Sequence, residues 1–163
     1  MLVRPTGILF TLAFSVAILQ AASPKLPSPK KLDALEARTI EVMKAKAAAL
    51  NIQGVAVVSY ASGATIDSWT SKMAVVGRLT DPKASANGNN LLGIAYAKSA
   101  EMVSTLQDSG TAKRPPMTGE FGWQGGTILH VDSGYIIVAF SGGKSEDDLQ
   151  VSKAGLEVMK NGL

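Results

Sequence analysis

Three segments of the chain repeat apolar residues every three or four positions, the spacing that places them on one face of an α-helix. The first segment covers residues 32–50, and Asn51 after it suits a helix C-terminus. The second covers about 90–106. The third starts at Ser145, a natural N-cap residue, and Asp148 follows in its first turn. The pattern therefore predicts three helices.

Two further segments favour paired β-strands. Residues 54–60 are rich in β-branched side chains without polar alternation, which is typical of a strand covered on both faces. A turn signal follows, and residues 65–70 are predicted as the return strand of this hairpin. A second hairpin is predicted from strands 127–130 and 135–140, which flank the turn sequence VDSG.

The order along the chain is helix, hairpin, helix, hairpin, helix. Hairpins join antiparallel neighbours, so we predict a mainly antiparallel sheet covered by three helices. This is a single α/β domain of the α+β type with a profilin-like layered architecture. Residues 80–90 are predicted as a loop, and residues 109–124 form a long connection of a length that is often functional.

Residues 1–22 have the three-part build of a secretory signal peptide. Arg4 precedes a 13-residue apolar core, and small residues follow it. This apolar run is short for a membrane span, which needs roughly 20 residues. We predict a cleaved leader and a secreted or periplasmic protein with no membrane association after cleavage; an uncleaved N-terminal anchor is the alternative. Residues 23–31 are predicted as a Pro/Lys-rich linker, and residues 32–163 as the domain.

Composition excludes several classes of function. The chain of 163 residues has a formal net charge of +3, and cleavage of the leader would leave 15 basic and 13 acidic residues, a net charge of +2. Such a small charge, spread along the chain, argues against nucleic-acid binding. The chain has no cysteine, which excludes disulfides, thiolate metal sites and thiol catalysis. Stability must therefore come from an apolar core.

The last third of the chain carries a family resemblance. A Gly-Gly pair at 125–126 precedes a strand, and a hairpin turn lies at 132–134. The next strand ends in Ser-Gly-Gly at 141–143, and an acidic helix start lies at 146–148. The middle helix adds the sequence IAYAKSA at 94–100. This arrangement resembles the GlcG/HbpS-like haem-binding family over most of the predicted domain.

The resemblance implies a compact α/β fold, assembly into homo-oligomers, and binding of haem or a similar tetrapyrrole as a small-molecule ligand. A role in haem sensing or haem handling follows from the same resemblance. Two alternatives stay open at this point. One is a haem-degrading or other small-molecule enzyme, and the other is a ligand-free structural or interaction protein of the same fold.

Two side chains are candidate contacts for such a ligand. Lys98 lies on the apolar stripe of the second helix and can bind an anionic group such as a propionate. A lysine that covers apolar surface and keeps its charge in water explains the same pattern. His130 is the only histidine and, because an imidazole can ligate haem iron, the candidate metal ligand. A half-exposed histidine beside a turn is the alternative.

Glycine and aromatic residues mark the second hairpin. Gly125 and Gly126 precede it, and Ser141 and Gly142 follow it, where a backbone without side chains lets a ligand approach closely. Turn and helix-cap geometry explain such glycines equally well. Trp123 is a candidate wall of a flat apolar pocket, with packing into the core as the alternative. Together with the lysine and the histidine above, these are the predicted cofactor-binding residues.

Overall fold

The computed structural model describes residues 26–163, so the predicted signal peptide and the first part of the predicted linker lie outside the described residues. The elements in chain order are α1 (Pro29–Ala49), β1 (Gly54–Ser62), β2 (Thr70–Val76), β3 (Thr80–Asp81), β4 (Asn89–Asn90), α2 (Leu91–Thr105), β5 (Gly126–Val131), β6 (Gly134–Ser141) and α3 (Ser145–Gly162). Within this range no helix has the length and apolar character needed to cross a membrane.

A four-stranded sheet in the order β2-β1-β6-β5 forms the centre, and every neighbouring pair in it is antiparallel. The predicted second hairpin is confirmed, with Ile128 of β5 opposite Ile137 of β6. The two hairpins meet through β1 and β6, where Val57 lies opposite Ala139. The strands β3 and β4 form a separate short ribbon that leads into α2. The predicted α+β class with a mainly antiparallel sheet is therefore confirmed.

Helices cover both faces of the sheet, and successive side chains of β1 pack alternately into the two cores between the sheet and the helices. Ala56 and Val58 pack with Met43 in the core that α1 and α3 cover. Val55 and Val57 pack in the core that α2 covers. All five side chains are fully buried. This confirms the prediction of a strand covered on both faces and explains its lack of polar alternation.

The first hairpin differs from the prediction in its return strand. That strand is β2, which begins where the predicted strand 65–70 ends. The residues before β2 form a loop, in which the Thr65 hydroxyl donates to Asp67 at 2.8 Å. Such local polar hydrogen bonds compete with strand pairing. The predicted loop 80–90 is interrupted at both ends by the short β3–β4 ribbon.

The helix α1 begins earlier than its apolar pattern indicates. It starts at Pro29, inside the segment predicted as a linker. Ser28 acts as the N-cap, since its hydroxyl accepts the N–H of Lys31 at 3.3 Å. Proline suits the first helical position because its missing N–H is unpaired there in any helix.

The helix α3 lacks the predicted N-cap. Ser145 is its first helical residue, and the preceding Lys144 makes no side-chain cap hydrogen bond. The Asp148 carboxylate instead reaches back and accepts the N–H of Gly143 at 2.8 Å. The prediction of a Ser145 cap is therefore wrong, because a carboxylate one turn into the helix binds the backbone ahead of it.

Replacing Met43 with alanine tests the core between α1, α3 and the sheet. Met43 is fully buried, and an added Cβ on Gly155 would come within 2.9 Å of its side chain. We expect Met43→Ala to lower the free energy of unfolding by about 2–5 kcal/mol, measured by urea denaturation. Val75→Ala on the exposed edge strand should change it by less than about 0.5 kcal/mol. Equal losses in the two variants would contradict the described core.

Candidate ligand-binding site

A small pocket opens between the end of β6, the start of α3 and the first half of α2. It has a volume of about 100 Å³. One water molecule needs about 10–15 Å³ of such space, so the pocket suits a group of a few non-hydrogen atoms. We call it the Lys98 pocket, and its lining residues are Asp81, Ala84, Asn89, Leu91, Ile94, Lys98, Trp123, Ser141, Gly142, Gly143, Ser145 and Asp148.

Lys98 and Asp148 form a buried ion pair in the wall of this pocket. Lys98 Nζ lies 2.9 Å from Asp148 Oδ2 and donates to the carbonyl oxygen of Phe140 at 2.8 Å. The other carboxylate oxygen, Asp148 Oδ1, accepts the N–H of Gly143. Only 3% of the lysine side chain and 5% of the aspartate side chain are exposed. The pair therefore joins α2, β6 and α3 at one point.

Burial shifts the pKa values of both Lys98 and Asp148. It lowers the pKa of the Lys98 ammonium, and the attraction of Asp148 opposes that shift. It raises the pKa of the Asp148 carboxyl, while Lys98 and the N–H groups of Gly143 and Gly142 oppose that shift. The two shifts bring the proton affinities of the amine and the carboxylate closer together. Transfer of the proton from nitrogen to oxygen is therefore easier here than between the same groups in water.

Two glycines let the backbone close around the ion pair. A Cβ on Gly125 would clash with Lys98 Nζ and lie 2.7 Å from the Cβ of Asp148, and the φ angle of Gly125 is 128°. A Cβ on Gly142 would clash with the backbone oxygen of Gln53. Close packing of the protein against itself therefore requires glycine at both positions.

Ser141 and Ser145 add two hydroxyl groups to the pocket wall. The Ser141 residue is 3% exposed. Neither hydroxyl is among the buried atoms that lack a hydrogen-bond partner in residues 26–163. The Lys98 ammonium has three N–H donors, of which Phe140 and Asp148 take two. The third N–H of Lys98 and the two hydroxyls that line the pocket are the groups that can meet a polar ligand.

A second ion pair lies at the edge of the pocket. Arg78 Nη1 is 2.9 Å from Asp81 Oδ2, and Arg78 Nη2 donates to the carbonyl oxygen of Gly142 at 2.9 Å. Each carboxylate that lines the pocket, Asp81 and Asp148, therefore has its own cation. This balance of charge favours a ligand of low charge over a phosphate.

Phe121 and Trp123 present an aromatic surface beside the pocket. Their ring centroids are 5.0 Å apart, and the rings are tilted by 33°. The two residues are 47% and 44% exposed, and Met117 in the same loop is 54% exposed. Trp123 also lines the Lys98 pocket, so it is not packed into the core. Large apolar residues left exposed beside a polar pocket indicate a binding surface.

An ion pair fixes the loop that carries these rings. Arg114 Nη1 and Nη2 donate to the two carboxylate oxygens of Glu120 at 2.7 and 2.8 Å. Glu120 also accepts the N–H of Met117 and the hydroxyl of Ser104 on α2. The Arg114 and Met117 hydrogen bonds lower the pKa of Glu120 to about 2. We call this arrangement the Arg114–Glu120 clasp, and it attaches the aromatic loop to α2.

The structure brings most of the predicted site residues together. Lys98, Trp123, Ser141 and Gly142 line one pocket, and Gly125 lies against Lys98 Nζ. A larger pocket of about 280 Å³ lies at the opposite end of β1, beside Trp69 and the start of α1, and contains none of the predicted residues. The Lys98 pocket is therefore the candidate site.

Two predicted residues lie apart from this pocket. Gly126 packs against Met102, and its N–H donates to the Ser109 hydroxyl at 2.8 Å. His130 is exposed near the far end of β5, about 13 Å along the strand from Gly126, and its ring lies 4.6 Å from that of Tyr135. Residues 26–163 contain no group of three or more His, Cys, Asp or Glu able to hold a metal ion.

Several pocket residues were not predicted from the sequence: Asp81, Asn89, Ser145 and Asp148. From the sequence, Asp148 was interpreted only as part of the acidic helix start at 146–148. Helical periodicity places it on the same face as Val151, Ser152 and Gly155, which are all buried. That spacing was the available signal of a buried carboxylate.

Replacing Lys98 with methionine tests the ion pair. The change leaves the buried Asp148 carboxylate without its cation, so we expect the free energy of unfolding to fall by about 3–5 kcal/mol at pH 8. Burial holds the folded pKa of Asp148 above the ordinary value of 3.8, and loss of Lys98 removes an opposing effect. In Lys98→Met, Asp148 therefore takes up a proton at a higher pH in the folded state than in the unfolded state. The decrease in the free energy of unfolding should accordingly become smaller as the pH falls from 8 to 5.

Urea denaturation at both pH values measures this effect. Lys153→Met, on the exposed face of α3, is the matched control and should change the free energy of unfolding by less than about 0.5 kcal/mol. The described ion pair would be contradicted if Lys98→Met lowered the free energy of unfolding no more than the control does. It would also be contradicted if this decrease became larger toward pH 5.

Replacing Glu120 with glutamine tests the clasp. Glutamine keeps the shape but loses the charge, so we expect the loop to open more often and trypsin to cleave after the exposed Lys113 at least about tenfold faster. The control Glu157→Gln, on the exposed face of α3, should leave the cleavage rate unchanged. Equal rates in the two variants would show that the clasp does not hold the loop.

The Glu120 carboxylate also makes the stability of the folded protein depend on pH. Because the pKa of Glu120 is about 2 when folded, against an ordinary value of 4.5, its contribution to stability is complete above pH 4.5. That contribution is lost as the pH falls toward 2. Trp123 fluorescence in the wild type should therefore change within this window, and in Glu120→Gln this change should be absent.

Comparison with solved structures shows proteins of the same fold. The crystal structure of a PduOC–haem complex matches with a TM-score of 0.52 at 16% sequence identity, over 81% of this chain and 94% of that chain. The Klebsiella pneumoniae protein ORFY, a DUF336 protein, matches with a TM-score of 0.55 at 14% identity, over 87% and 97%. No protein-family model and no curated protein matches the sequence. At these identities the comparisons show a shared fold, with three helices around a mainly antiparallel sheet.

Proposed function

We propose that the protein binds haem or a similar tetrapyrrole on the Phe121–Trp123 surface, with one carboxylate arm in the Lys98 pocket. The observation that carries this proposal is an exposed aromatic pair directly beside a small pocket lined by Lys98 and two serine residues. A tetrapyrrole such as haem combines a wide flat apolar ring with carboxylate arms. Its two parts therefore match the two parts of the site.

The volume of the pocket fits one carboxylate side chain of a tetrapyrrole, while the ring itself would stay outside the pocket. Pockets that enclose a whole small ligand measure roughly 300–1,000 Å³, and the Lys98 pocket measures about 100 Å³. The ring would therefore lie on the aromatic surface. The remaining N–H of Lys98 and the hydroxyls of Ser141 and Ser145 would meet the carboxylate, while the ion pair to Asp148 stays intact.

Ring stacking, and not an iron–histidine bond, is the proposed source of affinity. His130 lies near the far end of β5, away from Trp123 and the pocket. The residues at the pocket fit the ring and the arm but supply no imidazole to the iron. Metal-free protoporphyrin should therefore bind with an affinity within about threefold of that of haem, a difference of less than about 0.7 kcal/mol.

Two related observations support haem over other flat ligands as the proposed ligand. The chain resembles the GlcG/HbpS-like haem-binding family in its glycine-marked hairpin and acidic helix start, and it shares its fold with the PduOC–haem complex. The proposal includes membership of that family, export by the leader at 1–22, assembly into homo-oligomers, and a role in haem sensing or handling.

Haem titration of three variants tests the site. Trp123→Ala should weaken haem binding at least about tenfold, because it removes the ring that lines both parts of the site. Trp69→Ala removes the only other tryptophan, which is similarly exposed at the other end of the sheet, and should change the affinity less than about twofold. His130→Ala should likewise have little effect. The Soret absorbance and the quenching of tryptophan fluorescence measure the affinity.

Two outcomes would overturn the proposal. A spectrum that stays that of free haem throughout the titration of the wild type would exclude haem as the ligand. Normal binding by Trp123→Ala together with loss of binding by His130→Ala would place the ligand beside the stacked His130 and Tyr135 rings instead.

A further inference from the structure

We propose that Lys98 Nζ forms a reversible imine with a small carbonyl compound of two to four carbon atoms that enters the Lys98 pocket. This inference goes beyond tetrapyrrole binding, because it assigns covalent chemistry to the lysine and a different class of ligand to the pocket. It rests on the position of the amine, the volume beside it and the group that shares its proton.

The amine lies where a small molecule can reach it and bulk water is largely excluded. Lys98 lines the pocket, yet only 3% of its side chain is exposed. The pocket volume of about 100 Å³ holds a few non-hydrogen atoms, which matches pyruvate or propanal and excludes a larger sugar or a peptide. Gly125 leaves the backbone beside Nζ without a side chain, where a Cβ would clash with the nitrogen.

Asp148 is positioned to move the protons that the reaction requires. Its Oδ2 lies 2.9 Å from Nζ, within reach for direct proton transfer. Its Oδ1 accepts the N–H of Gly143 at 2.8 Å, which orients the carboxylate toward the amine. An ammonium must lose a proton before it can act as a nucleophile, and burial of both charges makes this transfer to Asp148 easier.

The reaction balances with these groups alone. Asp148 takes one proton from the ammonium, and the nitrogen lone pair then attacks the carbonyl carbon while the C=O π electrons move to oxygen. Asp148 returns its proton to that oxygen, which gives a carbinolamine. The nitrogen then loses its next proton through Asp148 to the hydroxyl, the C–O bond breaks, and water leaves. The products are one protonated imine, an iminium ion that keeps the third proton and the positive charge of the ammonium, and one water molecule.

The rest of the pocket suits the carbonyl compound. The hydroxyls of Ser141 and Ser145, which line the pocket, can donate to the oxygen that becomes negative as the nitrogen attacks. Asp81 is paired with Arg78, so no second free carboxylate repels that oxygen.

Reductive trapping tests the inference on the whole protein without haem. Wild-type protein is incubated at neutral pH with pyruvate or propanal and with cyanoborohydride, which donates hydride to the imine and leaves a stable secondary amine. The two probes share the carbonyl group and differ in charge. Peptide mapping by mass spectrometry should find the reduced adduct on Lys98 at least about tenfold more than on any exposed lysine, since those stay protonated.

Three variants sharpen the result. Lys98→Arg keeps the positive charge but has no nucleophilic amine, so the main adduct should disappear. Lys153→Arg removes one exposed lysine and should leave the yield unchanged. Asp148→Asn should slow trapping about 100-fold, because the proton carrier is lost. Circular dichroism checks that each variant is folded.

If Lys98→Arg fails to fold, the peptide map of the trapped wild-type protein is sufficient to test imine formation at Lys98. The inference would be overturned if the reduced adduct were spread evenly over the exposed lysines. It would also be overturned if neither probe gave an adduct on Lys98. Label on Lys98 with propanal only would keep the inference and restrict the ligand to uncharged carbonyl compounds. Because haem is absent from every sample, failure here leaves the haem titration unaffected.

Discussion

One buried ion pair holds together the elements that form the candidate site. Lys98 comes from α2, Asp148 from α3, and the carbonyl oxygen of Phe140 from β6, so three elements meet at a single ammonium group. Because a buried charge without its partner is costly, each partner requires the other to be in place. The pocket, the hydroxyls of Ser141 and Ser145 in its wall, and the close contact of Gly125 with Lys98 Nζ all depend on this geometry.

The fold follows from the sequence where the periodicity is strong. The apolar run in β1 and the VDSG turn predicted strands that exist, because burial on both faces and tight turns each leave a local signature. The return strand β2 was misplaced because its seven residues are only partly buried and show a weak pattern. The start of α1 was misplaced because a serine cap and a proline were interpreted as linker composition.

The candidate site was predictable only in part. Lys98, Trp123, Ser141 and Gly142 were identified from composition, from position next to predicted elements and from the family resemblance, and they do line one pocket. The partnership of Lys98 with Asp148 was not predictable, because 50 positions separate the two residues and no local pattern joins them. The separation of His130 from the pocket likewise depends on the direction in which β5 runs away from Gly126.

The pairing of β1 with β6 sets the order in which the molecule can assemble. In a chain still under synthesis, β1 can pair with β2 early, but its other edge stays unpaired for more than 70 residues until its central neighbour β6 is made. Contacts so distant in sequence form slowly, and an apolar strand with one unpaired edge can associate with other chains in the meantime. Nascent chains of this protein therefore have a prolonged period of aggregation risk, in which a holding chaperone would be of most use.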